Sequence, residues 1–116
     1  MARTSRFSRL FSLRKNRINT AFGIGRRLGS MPGIKVLHAP SATAESEARV
    51  LIMPTRLFKG HVQRNKVRRQ IKAIIYENSL ASCGGTFIIL LYAEAKQTDF
   101  TQLKSFLVRT LRKAHD

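Results

Sequence analysis

Basic side chains repeat along one short stretch of the sequence that also carries regularly spaced apolar residues. Apolar residues in the stretch 62–78 recur at helical spacing, which predicts an amphipathic helix. They are Val67, Ile71, Ile74 and Ile75. One border of this apolar arc is formed by Arg64, Asn65, Arg68, Arg69 and Lys72, which we call the basic ridge. Like charges four residues apart destabilise an isolated helix by roughly 0.2–0.5 kcal/mol per pair, so the ridge favours an anion that neutralises it.

Phosphate is the anion that suits these side chains best. An arginine guanidinium donates two parallel hydrogen bonds to phosphate oxygens. The ridge begins in the first turn of the predicted helix, where backbone N–H groups lack intrahelical partners and the helix dipole is positive. The alternative is a solvated helix face, but such a face ordinarily mixes both signs of charge, and no acid lies between Glu47 and Glu77. We predict phosphate contacts for the ridge and for its neighbours Arg56, Lys59 and Lys66.

The overall charge of the chain also indicates a polyanionic partner. The 116 residues carry a formal net charge of +16, and 43% of them are hydrophobic. This apolar content is enough for one folded core, but a compact particle of this charge repels itself unless a polyanion binds. A nucleic acid is the first candidate. A membrane is less suitable, because no apolar run approaches the ~20 residues that span a bilayer.

Cysteine and acidic residues are too few for several classes of site. Cys83 is the only cysteine, so the chain can form neither an intramolecular disulfide nor a zinc site with several thiolates. We therefore expect a reducing compartment, the cytoplasm. The acids are Glu45, Glu47, Glu77, Glu94, Asp99 and Asp116. A nuclease that cuts RNA unaided normally needs clustered carboxylates for two metal ions, so we predict no catalytic residue and no metal ligand in this chain.

Strand patterns on both sides of the basic helix predict an α+β fold. Residues 34–39 and 49–53 have the composition of two strands, which we expect to pair as a hairpin. Residues 56–60 are either irregular or a short third strand. Residues 86–93 are apolar at nearly every position, as in a strand at the middle of a sheet whose two faces are both covered.

Two further helices complete the predicted order of elements, α-β-β-(β)-α-β-α. One lies within residues 13–25, and the other follows Thr98 or Asp99, with Gln102 in a capping-box position. The apolar positions of this last helix are Phe100, Leu103, Phe106, Leu107 and Leu111. We predict a single RNA-binding domain at residues 13–116, preceded by a basic tail at residues 1–12 that is either ordered or flexible.

The segment at residues 55–72, TRLFKGHVQRNKVRRQIK, resembles the signature of the bacterial ribonuclease P protein component. In that family, a strand end with Ser or Lys and a loop with Gly lead into an Arg-Asn-x-x-Lys/Arg-Arg helix. The matching residues here are Arg64, Asn65, Arg68 and Arg69. Thr55 stands where Ser is common, and Gly60 is displaced by one residue from the family pattern. Weaker similarity extends over most of the chain.

The resemblance implies a fold and a second RNA-binding surface. The fold is a two-layer sandwich with a left-handed β-α-β crossover, as in a ribosomal protein domain, whereas the general rule for crossovers would predict a right-handed one. A cleft between the first helix and the sheet holds the single-stranded 5′ leader of precursor tRNA. The positions that match its helix are Arg14, Lys15, Ile18 and Phe22.

Two alternatives to the leader position of Phe22 stay open at this point. Phe7 and Phe11 have the same four-residue spacing as Ile18 and Phe22 and offer a rival alignment. Phe22 can equally anchor its helix to the core. In the leader cleft an aromatic ring would stack on bases, a contact worth about 1–3 kcal/mol each.

The function that the resemblance implies is that of the protein subunit of ribonuclease P. This subunit binds the catalytic RNA and precursor tRNA, and the RNA hydrolyses the phosphodiester bond with Mg²⁺ that is bound mainly by RNA. Neither a membrane nor an obligatory protein partner is implied. The alternative is a ribosome-associated or general RNA-chaperone protein. The acid-free first 17 residues also resemble an organellar transit peptide, but a basic RNA-contacting tail explains the same composition.

Overall fold

Helices and strands follow one another along the chain in the computed structural model, which describes residues 10–40, 47–56 and 58–115. In chain order they are α1 (Lys15–Ile24), β1 (Arg26–Met31), β2 (Ile34–Ala39), β3 (Arg49–Pro54), α2 (His61–Glu77), β4 (Thr86–Leu91) and α3 (Phe100–Leu111). Short 3-10 helices at Ala93–Gln97 and Arg112–His115 flank α3. The three predicted helices are confirmed. No helix in this part of the chain is long and apolar enough to cross a membrane.

The described strands form a four-stranded sheet in the order β1-β2-β4-β3. β2 is antiparallel to β1 and to β4, whereas β3 is parallel to β4. Ile89 of β4 lies opposite Val36 on β2 and Ile52 on β3. The β4 sequence, TFIILL, is apolar after its first residue because both of its faces are covered. The prediction that this strand lies at the middle of the sheet is confirmed.

The predicted hairpin between residues 34–39 and 49–53 is wrong. β2 pairs with β1, a strand that the sequence does not predict, and β3 lies on the far side of β4. The β1 sequence, RRLGSM, lacks apolar alternation because β1 is a largely exposed edge strand. Its turn into β2 contains Gly33 at φ +87°, a conformation that glycine adopts without strain. The described residues between 56 and 60 are irregular and do not form a third strand.

The two faces of the sheet have different coverings. The inner face, which carries Phe87, Ile89 and Leu91 of β4, is covered by α2 and α3. The outer face, which carries Ile88 and Leu90, is covered in part by α1. The sheet and its inner helices form the predicted two-layer sandwich, which is confirmed, and α1 is an additional helix on the outer face. The left-handed crossover of the β3-α2-β4 unit stays a prediction.

Apolar stripes on α2 and α3 attach these helices to the inner face. The buried residues of α2 are Val67, Ile71, Ile74 and Ile75, and those of α3 are Leu103, Phe106, Leu107, Thr110 and Leu111. At the start of α3, the Asp99 carboxylate accepts a hydrogen bond from the Gln102 backbone N–H at 2.8 Å. This bond satisfies one of the free donors at the helix start, so Asp99, and not Thr98, is the cap.

The chain before α1 also contributes to the inner core. Leu10 is buried there, and Phe11 packs against it. Residues 1–9 lie outside the described residues. The division between a tail at 1–12 and a domain at 13–116 stays a prediction.

Candidate nucleic-acid interface

The basic ridge lies along the side of α2 that borders its buried stripe. Arg64, Arg68 and Lys72 are half-buried, and Asn65 and Arg69 are exposed. A shallow depression of about 390 Å³ is lined by Asn65, Arg68, Arg69 and Lys72. The structure therefore brings four of the five ridge residues around one concave surface that is large enough for phosphate groups.

The start of α2 leaves backbone donors without a side-chain cap. The residue before the helix is Gly60, whose φ of +101° favours glycine, and no acid occupies the first turn. The positive end of the helix dipole and free N–H groups consequently lie at the same end of the helix as Arg64 and Asn65. An anion is the partner that this arrangement stabilises.

Three further residues with predicted phosphate contacts lie outside the depression. Arg56 and Lys59 are exposed in the segment that leads into α2, and Lys66 is exposed on the helix. At about 100° per residue, Lys66 projects roughly 60° beyond Arg69 around the helix axis. Arg56 and Lys59 thus precede α2, Lys66 lies in its second turn, and none of the three lines the depression.

Lys96 is a cation near the same helix start that the sequence does not single out. Its Nζ lies 5.5 Å from the Phe58 ring centroid, and it is also close to Gly60, at 4.0 Å from a Cβ built on that glycine. Lys96 belongs to a 3-10 helix that follows β4, so its proximity depends on the tertiary fold. No spacing in the sequence could have predicted it.

At the far end of the ridge, Lys72 contacts an aromatic ring from the N-terminal segment. Its Nζ lies 5.4 Å from the Phe11 ring centroid, within the range of a cation–π interaction. Phe11 is half-buried against the inner core. The rival alignment that gives Phe11 the leader position is thereby disfavoured, and Phe7, its other member, lies outside the described residues.

On the opposite side of the sheet, α1 presents the residues predicted for leader binding. Arg14, Ile18 and Phe22 follow one another at i, i+4 and i+8 and share one side of the helix. Phe22 is 41% exposed, whereas Ala21 is 2% exposed. The alternative that Phe22 anchors α1 to the core is thereby disfavoured, because the α1 residue in the buried outer cluster is Ala21. Lys15 is exposed in the first turn.

The sheet contributes half-buried side chains beside α1 that the sequence does not single out. Leu37, Leu51 and Leu90 pack against the small buried cluster of the outer face. Lys35 and Arg49 are half-buried on the same face, as the strand registers require. Together with Ile18 and Phe22, we call these residues the outer surface. Because the strand pairing is predicted wrongly, their common face could not be predicted either.

Comparison with known proteins assigns the family. The Ribonuclease P family model matches residues 2–115, nearly the whole chain. The chain belongs to the ribonuclease P protein family. Its role is therefore that of the protein subunit of ribonuclease P, a tRNA-processing endoribonuclease in which the protein works with an RNA. No curated protein sequence matches the chain.

Solved structures of ribonuclease P proteins share this fold. The RNase P protein from Staphylococcus aureus superimposes with a TM-score of 0.76 at 16% sequence identity, covering 90% of this chain and 94% of that one. The RNase P protein from Thermotoga maritima gives a TM-score of 0.72 at 20% identity, covering 87% of this chain and 94% of that one. Identities this low establish the fold alone.

In this member of the ribonuclease P protein family, the histidines lie at separate places. The His38 Nε2 hydrogen-bonds the Gly84 carbonyl oxygen at 3.1 Å, and the His115 Nε2 hydrogen-bonds that of Leu80 at 2.8 Å. His61 is exposed at the start of α2. Within residues 10–40, 47–56 and 58–115, no group of three or more His, Cys, Asp or Glu side chains could hold a metal ion.

Cys83 and the two aromatic residues near β4 have structural surroundings. Burial raises the pKa of the Cys83 thiol, which lowers its thiolate fraction and its nucleophilicity. Phe87 is fully buried and Tyr92 half-buried. Phe87 is therefore a packing residue of the inner core.

Proposed function

We propose that the basic ridge binds the catalytic RNA subunit of ribonuclease P, and that the outer surface holds the 5′ leader of precursor tRNA. The RNA then hydrolyses the phosphodiester bond that releases the leader and forms the mature 5′ end. The observation that carries this proposal is the concave cationic surface of Asn65, Arg68, Arg69 and Lys72 on a helix whose start is uncapped. Family membership supplies the RNA partner.

The ridge supports RNA binding through its charge and its hydrogen-bond donors. The three arginines and one lysine of the ridge have no acid beside them on α2. The first acid of this helix is Glu77, at its end. Each phosphate that a cation neutralises releases counterions from the RNA, which makes binding favourable and dependent on salt. Each arginine guanidinium can also donate two parallel hydrogen bonds to one phosphate, which adds directional contacts to this attraction.

The outer surface supports the binding of a single strand. Ile18, Phe22 and the leucines of the sheet offer apolar area to bases, while Lys35 and Arg49 offer charges to phosphates. Arg14 and Lys15 add positive charge at the start of α1, where the residue before the helix, Arg14, provides no capping side chain. Alternation of apolar contacts for bases with cations for the backbone is the general pattern of single-strand recognition.

Mg²⁺ enters the proposal through the RNA partner. Mg²⁺ prefers several oxygen ligands and keeps much of its water shell, so it is usually held by carboxylates together with phosphates. The described residues bring no three acidic, histidine or cysteine side chains together, so they offer no site that is built from protein side chains alone. We therefore assign the metal to RNA phosphates and assign no catalytic residue to the protein.

Reconstitution tests the proposed function directly. The purified chain, added to a ribonuclease P RNA and a precursor tRNA at low Mg²⁺ concentration, should stimulate cleavage at the mature 5′ end. Its positive charge lowers the Mg²⁺ concentration needed, since it replaces counterions at the RNA phosphates. An absence of stimulation would contradict the proposal. Cleavage without the RNA subunit would instead identify the chain as an enzyme in its own right.

A competition experiment distinguishes the proposed subunit from a general RNA chaperone. A chaperone binds unrelated RNAs with similar affinity, because it relies on charge alone. The proposed subunit should keep its binding to the RNA subunit in the presence of an equal concentration of an unrelated structured RNA. Loss of half of the complex at equal concentrations would favour the chaperone.

A further inference from the structure

We propose that Arg17 is a positioning residue that holds α1 on the outer face and thereby sets the orientation of Ile18 and Phe22 toward the leader. This inference rests on the proposed function of the outer surface. It gives Arg17 a different task from its basic neighbours Arg14 and Lys15, which are exposed.

The side chain of Arg17 is bound to the central strand of the sheet. Its Nε donates to the Thr86 Oγ1 at 2.9 Å, and its Nη2 donates to the Gly85 carbonyl oxygen at 2.8 Å. Thr86 is only 4% exposed. Two donors on one planar guanidinium fix both the position and the rotation of the group. Arg17 therefore connects α1 to the start of β4.

The acceptors of Arg17 belong to a rigid junction. The Gly85 carbonyl oxygen also accepts the Arg49 backbone N–H at 3.0 Å, which places β3 at the same point. Gly85 has a φ of +97°, and a Cβ added there would lie 2.3 Å from the Ala39 carbonyl oxygen, so only glycine fits. β2, β3 and β4 thus converge at the group that Arg17 binds.

Apolar packing alone does not fix the rotation of α1 about its own axis. Ala21 is the buried residue of this helix, and a methyl group permits rolling about the helix axis. The helix also starts without a side-chain cap and contains no acid in its first turn. A directional contact one turn before Ala21 is what prevents such rolling.

The position of Arg17 on α1 explains how it acts on the leader residues. Arg17 and Ala21 are one turn apart and face the sheet, while Ile18 and Phe22 follow each of them by about 100° around the axis. A roll of the helix therefore moves Ile18 and Phe22 together. The basic ridge lies on α2, across the sheet, and is unaffected by this movement.

The test uses the reconstituted holoenzyme and two precursor tRNAs, one with a long leader and one with a single-nucleotide leader. Arg17→Met keeps a long apolar stem but removes the guanidinium and with it the hydrogen bonds to Gly85 and Thr86. It should reduce the ratio of the affinity for the long-leader precursor to that for the single-nucleotide precursor by about tenfold, comparable to the loss of one base contact. Arg26→Met removes the same charge from exposed β1 and should leave the ratio unchanged. The affinity for the RNA subunit serves as the readout of assembly.

Three companion variants separate positioning from other roles. Thr86→Val removes one acceptor without a change of charge, so it should lower the ratio in the same direction and tests the contact if Arg17→Met fails to fold. Arg17→Lys keeps the charge and an N–H donor but not the planar fork, so it should lower the ratio less than Arg17→Met does. In a background that carries both Ile18→Ala and Phe22→Ala, Arg17→Met should have little further effect, since it acts through these two residues, whereas a direct phosphate contact of Arg17 would give an additive loss and reduce the salt dependence.

The outcomes distinguish this inference from the function on which it rests. If Phe22→Ala lowers the ratio but Arg17→Met and Thr86→Val leave it unchanged, the positioning role is refuted and leader binding stands. If none of these variants changes the ratio, the leader does not bind on the outer surface. Equal losses for Arg17→Met and Arg26→Met would show an effect of net charge alone.

Discussion

The inner and outer faces of the sheet differ in how much apolar side-chain area is buried on each. The inner face is sealed by α2 and α3, whose apolar stripes meet Phe87, Ile89 and Leu91. The outer face has a buried cluster of Ala21, Ala39 and Ile88, and its leucines are only half-buried. Burial of apolar area stabilises a fold, whereas half-open apolar area beside cations can bind a partner. The inner face therefore contributes most of the buried apolar area, and the outer face keeps the half-open apolar area and cations on which we propose that the leader binds.

The starts of the three helices also differ, in whether an acid caps them. α3 begins with the Asp99 carboxylate on the Gln102 N–H, a cap worth about 1 kcal/mol. The residues before α1 and α2, Arg14 and Gly60, provide no capping side chain, and neither helix has an acid in its first turn. Both carry cations there, which is unfavourable at the positive end of the dipole. These two helices are consequently the ones that gain most from a phosphate.

The largest expected effect is a loss of stability, and two neighbouring residues of β4 compare the two faces of the sheet. Ile89 is fully buried on the inner face, and Leu90 is half-buried on the outer face. Ile89→Ala should lower the free energy of unfolding by about 2–5 kcal/mol, and Leu90→Ala by about 1–2 kcal/mol because less area is lost from burial. Urea denaturation measures both values. Equal losses would show that the outer face contributes to stability as much as the inner face.

A smaller effect is expected for Phe22, on the binding of precursor tRNA. Phe22→Ala should weaken the affinity of the holoenzyme for a precursor with a long leader by about 1–3 kcal/mol, the value of one base stacked on an aromatic ring. Fluorescence anisotropy with a labelled precursor measures this loss. The affinity for the RNA subunit should stay unchanged, and the free energy of unfolding should fall by no more than about 1 kcal/mol, because Phe22 is 41% exposed and belongs to neither buried cluster. Unaltered precursor affinity in the folded variant would remove Phe22 from the leader site.

The smallest effect concerns the salt dependence of RNA-subunit binding. Arg69→Ala should reduce the slope of log K against log salt concentration by about 0.7–0.9, the value of one lost phosphate contact. Arg69→Lys should keep the slope and lose affinity, because lysine retains the charge but not the bidentate geometry. Binding isotherms at several salt concentrations provide both quantities. An unchanged slope for Arg69→Ala, equal to that of Arg26→Ala, would mean that the ridge faces solvent.

Elements with strong local signals could be predicted from the sequence. The buried stripe of α2, the apolar run of β4 and the Asp99 cap of α3 are each visible within a few residues, because helical periodicity, burial on both faces and capping are local properties. The basic ridge lies on one such element. Its four depression-lining residues were consequently predictable together.

Features that depend on strand pairing could not be predicted in the same way. β1 lacks an apolar pattern, since only some of its side chains are covered, and β3 pairs with a strand more than thirty residues later. The outer surface and the proximity of Lys96 to Gly60 follow from that pairing. The contact between Arg17 and Thr86 joins residues 69 positions apart. Such contacts have no signature in a single sequence.

The position of β4 in the sheet affects the order in which the chain can fold during its synthesis. β1 and β2 can pair as soon as they emerge, but β3 has to wait for β4, its partner in the sheet. α2 emerges earlier, before the strand against which its buried stripe packs. Pairing at such separations is slow compared with local contacts. A strongly cationic chain made on a ribosome, itself largely RNA, therefore acquires the folded surfaces that we propose to bind RNA only after most of it has been translated.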